Sequence, residues 1–227
     1  MLKTIALVSM TVDHIGFCFF ADNRIPLFAV FGFEITLYSL ARAIGRLAFP
    51  IYAFLVSEGM KHTRDRKKYI QTLLFFAVIS EIPWNLVHTG ELFYSRQNVY
   101  FTLFLGAAGI YVLNEFGSTP VKQVFLLLYM VYAALYANID YGLKGFALIL
   151  LFYVLPENKL ALAVTGTALM DNFRYLGGLA FIPISMYNGK RGFINSKILK
   201  YAFYLYYPVH FLLLYFIKNA TVGYAQL

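Results

Sequence analysis

A single cysteine, Cys18, stands in the whole chain, so neither an internal disulfide nor a cysteine-rich metal site can form. It lies in an apolar run, which leaves the redox compartment open. Charge is scarce too: Asp, Glu, Lys and Arg make up 13% of the 227 residues against 60% hydrophobic, and mean hydropathy is +0.65. So few polar side chains cannot cover a water-facing surface, and the excess apolar surface calls for lipid. No linker, low-complexity stretch or repeat of fixed period breaks the chain, so residues 1–227 read as one domain, and a transporter of inverted halves gains no support. Also missing are a P-loop, a paired-histidine zinc motif and a nucleophile elbow, and no metal is expected.

What is present is a series of apolar runs. About 20 residues cross a 30 Å hydrocarbon core. Suitable runs are Leu2 to Phe20, Gly45 to Met60, Tyr69 to His88, Asn98 to Phe116, Lys122 to Asn138, Gly142 to Leu155, Leu160 to Asp171, Phe173 to Asn188 and Ile198 to Ile217. The sequence therefore predicts an all-α, polytopic helical bundle with roughly nine transmembrane helices, and its 23 Phe and 19 Tyr suit a lipid-facing shell with aromatic belts. The first run holds Asp13 and His14 at its middle, where a signal peptide would be uninterrupted, so it reads as a retained helix. Leu27 to Leu40, preceded by Asp22, Asn23, Arg24 and Pro26, reads as an interfacial or re-entrant segment on the outer face.

The net charge of +8 gathers in loops rather than along a polar face, which fits positive-inside topology better than nucleic acid. Lys61, Arg64, Arg66, Lys67 and Lys68 form one cluster, and Lys190, Arg191, Lys197 and Lys200 another. Six runs separate the two, so both face the same side, the cytoplasm. The N-terminus with Lys3 falls there as well, in a multi-pass protein of the plasma or inner membrane.

Ionisable residues inside a bilayer are costly and mark interiors or wet cavities. The candidates are Asp13, His14, Arg42, Arg46, Glu58, Glu81, Gln97, Asn98, Thr102, Asp140, Tyr141, Lys144 and His210. His14 stands about 16 Å along its helix from Lys3, and His210 a similar rise from Lys200, so the two imidazoles reach matching depth and can line one cavity. Each can equally be a buried polar residue satisfied by a neighbour. Asp13 and His14 point about 100° apart and cannot both aim at one atom. Arg42 and Arg46, one turn apart, can pair with Asp13 or Glu81, as structural ion pairs or otherwise. Glu58 reads as an inner-face salt bridge to Lys61 and His62, and Pro83 as a kink that frees a backbone carbonyl.

Several motifs carry a resemblance. Met10-Thr11-Val12-Asp13-His14-Ile15-Gly16, Gly45-Arg46-Leu47-Ala48-Phe49-Pro50-Ile51-Tyr52-Ala53-Phe54, Glu58-Gly59, His62-Thr63-Arg64, Glu81-Ile82-Pro83-Trp84-Asn85, Gln97-Asn98-Val99, Asp140-Tyr141-Gly142 and Tyr206-Tyr207-Pro208-Val209-His210 strongly resemble, in order, the TraX family of membrane proteins. That family, named for a conjugation protein that N-acetylates pilin, is similar to a wider group of membrane acyltransferases that includes heparan-α-glucosaminide N-acetyltransferase and the polysaccharide O-acetyltransferases. The resemblance implies transfer of an acetyl or related acyl group from cytoplasmic acyl-CoA to a glycan, lipid or peptide acceptor at the outer side, with His14 matching the histidine of an early helix.

On that expectation the phosphates of acetyl-CoA dock on Lys61, Arg64, Arg66, Lys67 and Lys68 with Lys190 and Arg191, though anionic lipid and topology alone also explain such loops. His14 is the general base, with Asp13 orienting and Arg46, Asn98 or Tyr141 steadying an oxyanion, while Glu81, Asp140 and His210 complete the substrate side. An acyl-histidine intermediate stays open. The competing expectation is a proton-coupled transporter using the same Asp, Glu and His.

Overall fold

The computed structural model describes all residues except 22–25, 31–32, 157, 172–175, 190–195 and 226–227. The apolar runs become helices: α1 Leu2–Phe19, α2 Leu37–Gly45, α3 Ala48–His62, α4 Arg66–Thr89, α5 Val99–Glu115, α6 Pro120–Tyr136, α7 Gly142–Val154, α8 Lys159–Asp171, α9 Phe181–Ser185 and α10 Lys197–Ala225. Their ends follow local chemistry. Asp65 caps α4 by accepting from Lys68 N at 2.9 Å, and α4 stops at Gly90, whose φ of +76° is a left-handed cap that glycine adopts without penalty. Asn98 caps α5 through Tyr100 N, Pro120 opens α6 where no amide hydrogen is needed, and Thr36 and Ser39 cap α2 reciprocally.

Two segments are not single helices, one of them the stretch read as interfacial or re-entrant and the other an expected span. The Leu27 to Leu40 stretch holds a small antiparallel hairpin, β1 Pro26–Val30 with β2 Phe33–Thr36, and then the start of α2. Alternation of exposed side chains along Pro26–Ala29 is absent, and the segment packs little of its apolar surface. The second is Phe173 to Asn188, which is not one crossing helix: among its described residues a 3-10 turn, Leu176–Ala180, leads into the five-residue α9. A 3-10 turn rises faster than an α-helix. Lys159 Nζ donates to the Ser185 carbonyl at 2.8 Å, so this short path still returns the chain to the end where α8 began.

Among the described residues three stretches are long and apolar enough to cross a membrane, Leu2–Phe19, Leu37–His62 and Arg66–Thr89, while α5, α6, α7 and α8 are apolar but shorter. The outer faces are apolar as well. Along α6 only Ala134 is buried, and Phe125, Leu128, Tyr129 and Tyr132 are exposed. A contiguous face of that kind needs lipid or protein against it.

Helix directions sort the molecule into two ends. α1 and α10 run parallel, with Lys3 Nζ 5.9 Å from the Phe203 ring, Thr11 on Tyr206 and His14 on His210. α4 runs the same way beside α10, stacking Phe76 on Tyr204 at 5.0 Å and setting Trp84 against Phe211 at 5.5 Å. One end collects Lys61, Arg66 with Glu115, and Lys159, while the other knits Gln97 to Asn138 and Asp140 by backbone bonds of 3.0 Å.

Candidate functional site

Near the second end, α1 presents its two adjacent polar residues to different partners. Asp13 faces α2, and its Oδ2 accepts from Arg42 Nη1 at 2.7 Å. This approach is close because α2 ends in Gly45: a Cβ there would fall on the Asp13 side chain, just as one on Gly16 would fall on Ala41. Arg46 follows Arg42 by one turn and lies within electrostatic reach of both Asp13 and Asp140. No hydrogen-bond partner for the buried Asp13 Oδ1 occurs among the described residues.

His14 faces α10. Its Nδ1 is 2.6 Å from His210 Nε2, and the rings stack at 4.9 Å with 14° between their planes. His210 is 5% exposed, and its Nδ1 lies 2.9 Å from the Tyr206 carbonyl. Phe211 backs both imidazoles, with centroids 4.4 Å from His14 and 4.5 Å from His210. Tyr206 stacks on His210 and meets Thr11 Oγ1 at 2.7 Å, tying α10 to α1 one turn before the pair.

Pro208 shapes this stretch of α10. Having no amide hydrogen, it leaves the Tyr204 carbonyl without its helical donor, and Tyr100 Oη donates to that carbonyl at 3.1 Å. The freed-carbonyl device expected at Pro83 is thus seen at Pro208.

The remaining candidates form a polar band at the same end. Glu81 Oε1 accepts from Asn98 N at 3.0 Å and from Asn98 Nδ2, and Nδ2 also donates to the Ala77 carbonyl at 2.8 Å. Both amide hydrogens of Asn98 are therefore committed, and its Oδ1 caps Tyr100. In this geometry Asn98 has no amide hydrogen left for an acyl oxyanion. Asp140 pairs with Arg96 at 2.8 Å, and its carbonyl takes the Thr102 hydroxyl. Burial pushes the Asp140 carboxyl above the usual range, with Arg96 pulling it back. Tyr141 holds a left-handed φ of 62° and stacks on Phe49 at 3.7 Å. For a bulky residue that conformation is a rare and costly one.

The basic cluster lies at the opposite end. Lys61 donates to Glu58 at 3.0 Å and to the Phe152 carbonyl at 3.2 Å, His62 reaches Glu58 at 3.4 Å, and Arg66 reaches Glu115 at 3.4 Å. Arg64, Lys67 and Lys68 are exposed beside them. By helical rise Lys61 stands about 20 Å from Ala48, the start of α3 near the Asp13 level. The structure does not bring this cluster to His14. Lys190 and Arg191 lie outside the described residues.

Comparison with known proteins then decides the family, since the description "TraX protein" matches residues 1–218. The chain belongs to the TraX protein family. A curated relative, the "Probable fimbrial assembly protein FimC, serogroup H1" of Dichelobacter nodosus, is 31% identical over 242 residues, covering 94% of this chain and 92% of that protein. The "Uncharacterized protein RP591" of Rickettsia prowazekii (strain Madrid E) is 24% identical over 163 residues, 70% of this chain and 56% of that protein. No solved structure matches.

Two residues of this TraX chain escaped the sequence reading. His88 closes the histidine cluster: its ring lies 3.8 Å from Trp84, 4.8 Å from Phe17 and 6.0 Å from Phe211, with Nδ1 2.8 Å from the Trp84 carbonyl. The signal was its spacing, four residues after Trp84 and seven after Glu81, which puts all three on one helix face. Arg96 sits in a loop, where only its neighbourhood to Gln97 and Asn98 hinted at a role. No group of three or more metal-ligating side chains occurs among the described residues.

Proposed function

We propose that this chain is a multi-pass acyltransferase of the cell membrane, with its N-terminus cytoplasmic, moving an acetyl or related acyl group from acyl-CoA to an acceptor hydroxyl or amine at the outer face. The observation that carries the reading is the His14–His210 contact at 2.6 Å within an apolar bundle. Two imidazoles held together by aromatic packing are a means of taking and returning a proton where water is scarce. The resemblance of the motifs around His14 and His210 to those of membrane acyltransferases, set out in the sequence analysis, supports the same reading.

In the proposed reaction the acceptor gives its proton to His14 as its oxygen or nitrogen attacks the thioester carbonyl. The carbon–sulfur bond then breaks, and the departing thiolate takes the proton back as free CoA thiol. Arg46 and Tyr141, which lie within electrostatic range of Asp13 and of each other, take the role of steadying the oxyanion in this proposal. Phosphates of the donor sit on Lys61, Arg64, Arg66, Lys67 and Lys68, whose shared end reads as cytoplasmic by the positive-inside rule. The fimbrial-assembly relative supports an acceptor class, a fibre subunit or its glycan presented outside.

Transfer of labelled acetyl from acetyl-CoA in membranes tests the proposal. His14→Ala is expected to abolish it, a loss of about 100-fold or more, with insertion unchanged. Full transfer by that variant ends the proposal. Flux driven by a pH gradient, with no thermal protection of purified protein by CoA, would instead favour a proton-coupled transporter.

A further inference from the structure

We infer that His210 sets the tautomer of His14, so that Nε2 of His14 is the basic atom of the site. The chain of reasoning starts at a carbonyl. Tyr206 O can only accept, so His210 Nδ1, 2.9 Å away, carries a hydrogen. A neutral imidazole has one N–H, which leaves a lone pair on His210 Nε2. That lone pair faces His14 Nδ1 at 2.6 Å, so His14 must hold its hydrogen on Nδ1 and donate it. The lone pair of His14 then lies on Nε2, the nitrogen turned away from His210.

Packing keeps the arrangement from rotating. Phe211 lies against both rings, and Tyr206 stacks on His210 at 5.1 Å with 9° between planes. Thr11 Oγ1 already donates to the Leu7 carbonyl at 2.8 Å, so the Tyr206 hydroxyl is the donor in their 2.7 Å contact. The backbone acceptor, the aromatic plate and the hydroxyl tie all lie on α10 or α1. His88 makes the same bond to the carbonyl four residues before it, with its ring 6.0 Å from that of Phe211.

The pair moves one proton without any other bond change. When His14 Nε2 takes a proton, its Nδ1 proton can shift to His210 Nε2, leaving His14 neutral and His210 an imidazolium still bonded to Tyr206 O. Returning the proton reverses both steps. His210 is thus a positioning residue, which touches His14 rather than the substrate.

The assignment rests on the proposed function only for its effect on rate, and the test separates the two. Protein labelled with nitrogen-15 at histidine is purified in detergent, and the ring nitrogens of His14, assigned with His14→Ala, are read by NMR. Wild type is expected to show a protonated Nδ1 and a bare Nε2 on His14. His210→Asn keeps a donor for Tyr206 O but offers His14 no acceptor, so His14 should change to the Nε2–H form that free histidine favours. His210→Gln places an amide oxygen near the old Nε2 position and should hold His14 in the Nδ1–H form. In acetyl transfer, His210→Asn is expected to lower kcat at least about tenfold with KM little changed, and His210→Gln to restore most of it. An Nε2–H form of His14 in wild type overturns the assignment, as does a His14 spectrum indifferent to His210→Asn. Should the Asn variant fail to fold, the wild-type spectrum alone decides. A correct tautomer in a protein without acetyl transfer would uphold the assignment and discard the function.

Discussion

Asp13 and His14 are chain neighbours, yet they sit in opposite kinds of surroundings. Asp13 meets α2 through an ion pair at 2.7 Å that rests on a glycine, Gly45, whereas His14 meets α10 through an uncharged contact at 2.6 Å wrapped in aromatic rings. The 100° turn between successive helical residues is what separates them. One face of α1 therefore carries an ion pair, and the next carries an imidazole bonded to another imidazole. An ion pair in an apolar bundle is held by its own electrostatics, since each charge is costly alone. A neutral imidazole pair is held by packing instead.

Breaking the charged side should have the largest effect. Arg42→Ala leaves Asp13 beside Gly45 without its bonded partner, and the side chains are only 25% and 16% exposed. Loss of one partner of a well-buried pair costs about 3–5 kcal/mol, so about 2–3 kcal/mol is expected here. Unfolding in mixed detergent micelles measures it. The double change Asp13→Asn with Arg42→Gln should cost clearly less than Arg42→Ala, because no lone charge remains. Equal losses would mean that the pair contributes through shape alone.

That contrast also explains what could be read from the residues. The matching depth of His14 and His210 followed from counting helical rise from Lys3 and Lys200, because α1 and α10 run parallel and the count holds along a regular helix. The pairing choice of Arg42 did not follow, since Asp13 and Glu81 were equal candidates until Gly45 let α2 approach α1. Glu81 instead serves Asn98, a cap whose need for a partner lies in the next helix. The Leu27 to Leu40 stretch was set apart from the spans by its polar lead-in and Glu34, although not as a hairpin, while apolar content alone could not distinguish the broken Phe173 to Asn188 return from a helix, because periodicity does not separate short apolar runs by type. His88 ended its run and so looked like a boundary, although its ring belongs with the other two histidines.

Gly45→Ala sharpens the comparison from the side of packing. The added Cβ falls on Asp13 Cβ and Cγ as well as its carboxylate oxygen, so a rotamer change alone cannot relieve it. Overpacking of this kind costs about 1–3 kcal/mol. The loss should appear as a lowered unfolding free energy with the His14 ring-nitrogen spectrum unchanged, since Gly45 leans on the Asp13 side of α1. A changed spectrum would show the two faces to be one unit.

The smallest effect is expected where charge is most exposed. Arg96 and Asp140 pair at 2.8 Å, but Arg96 is 49% exposed, so the pair is worth about 0.2–1 kcal/mol. Burial still raises the Asp140 carboxyl above its unfolded value, and Arg96 works against that rise. A carboxyl raised on folding binds its proton more tightly in the folded state, so its stabilising share is complete below the ordinary carboxylate range and lost as pH climbs through the raised value. Arg96→Gln removes the opposing charge and raises that value further. Unfolding curves for wild type and Arg96→Gln should therefore converge at acid pH, where Asp140 is protonated in both, and separate by up to about 1 kcal/mol towards neutral pH, with the variant the less stable. Curves that stay parallel across the whole range would show that this loop is held by its backbone bonds to Gln97 instead. The ion pair would then be ornamental, and the contrast with Asp13 and Arg42 would be sharper still.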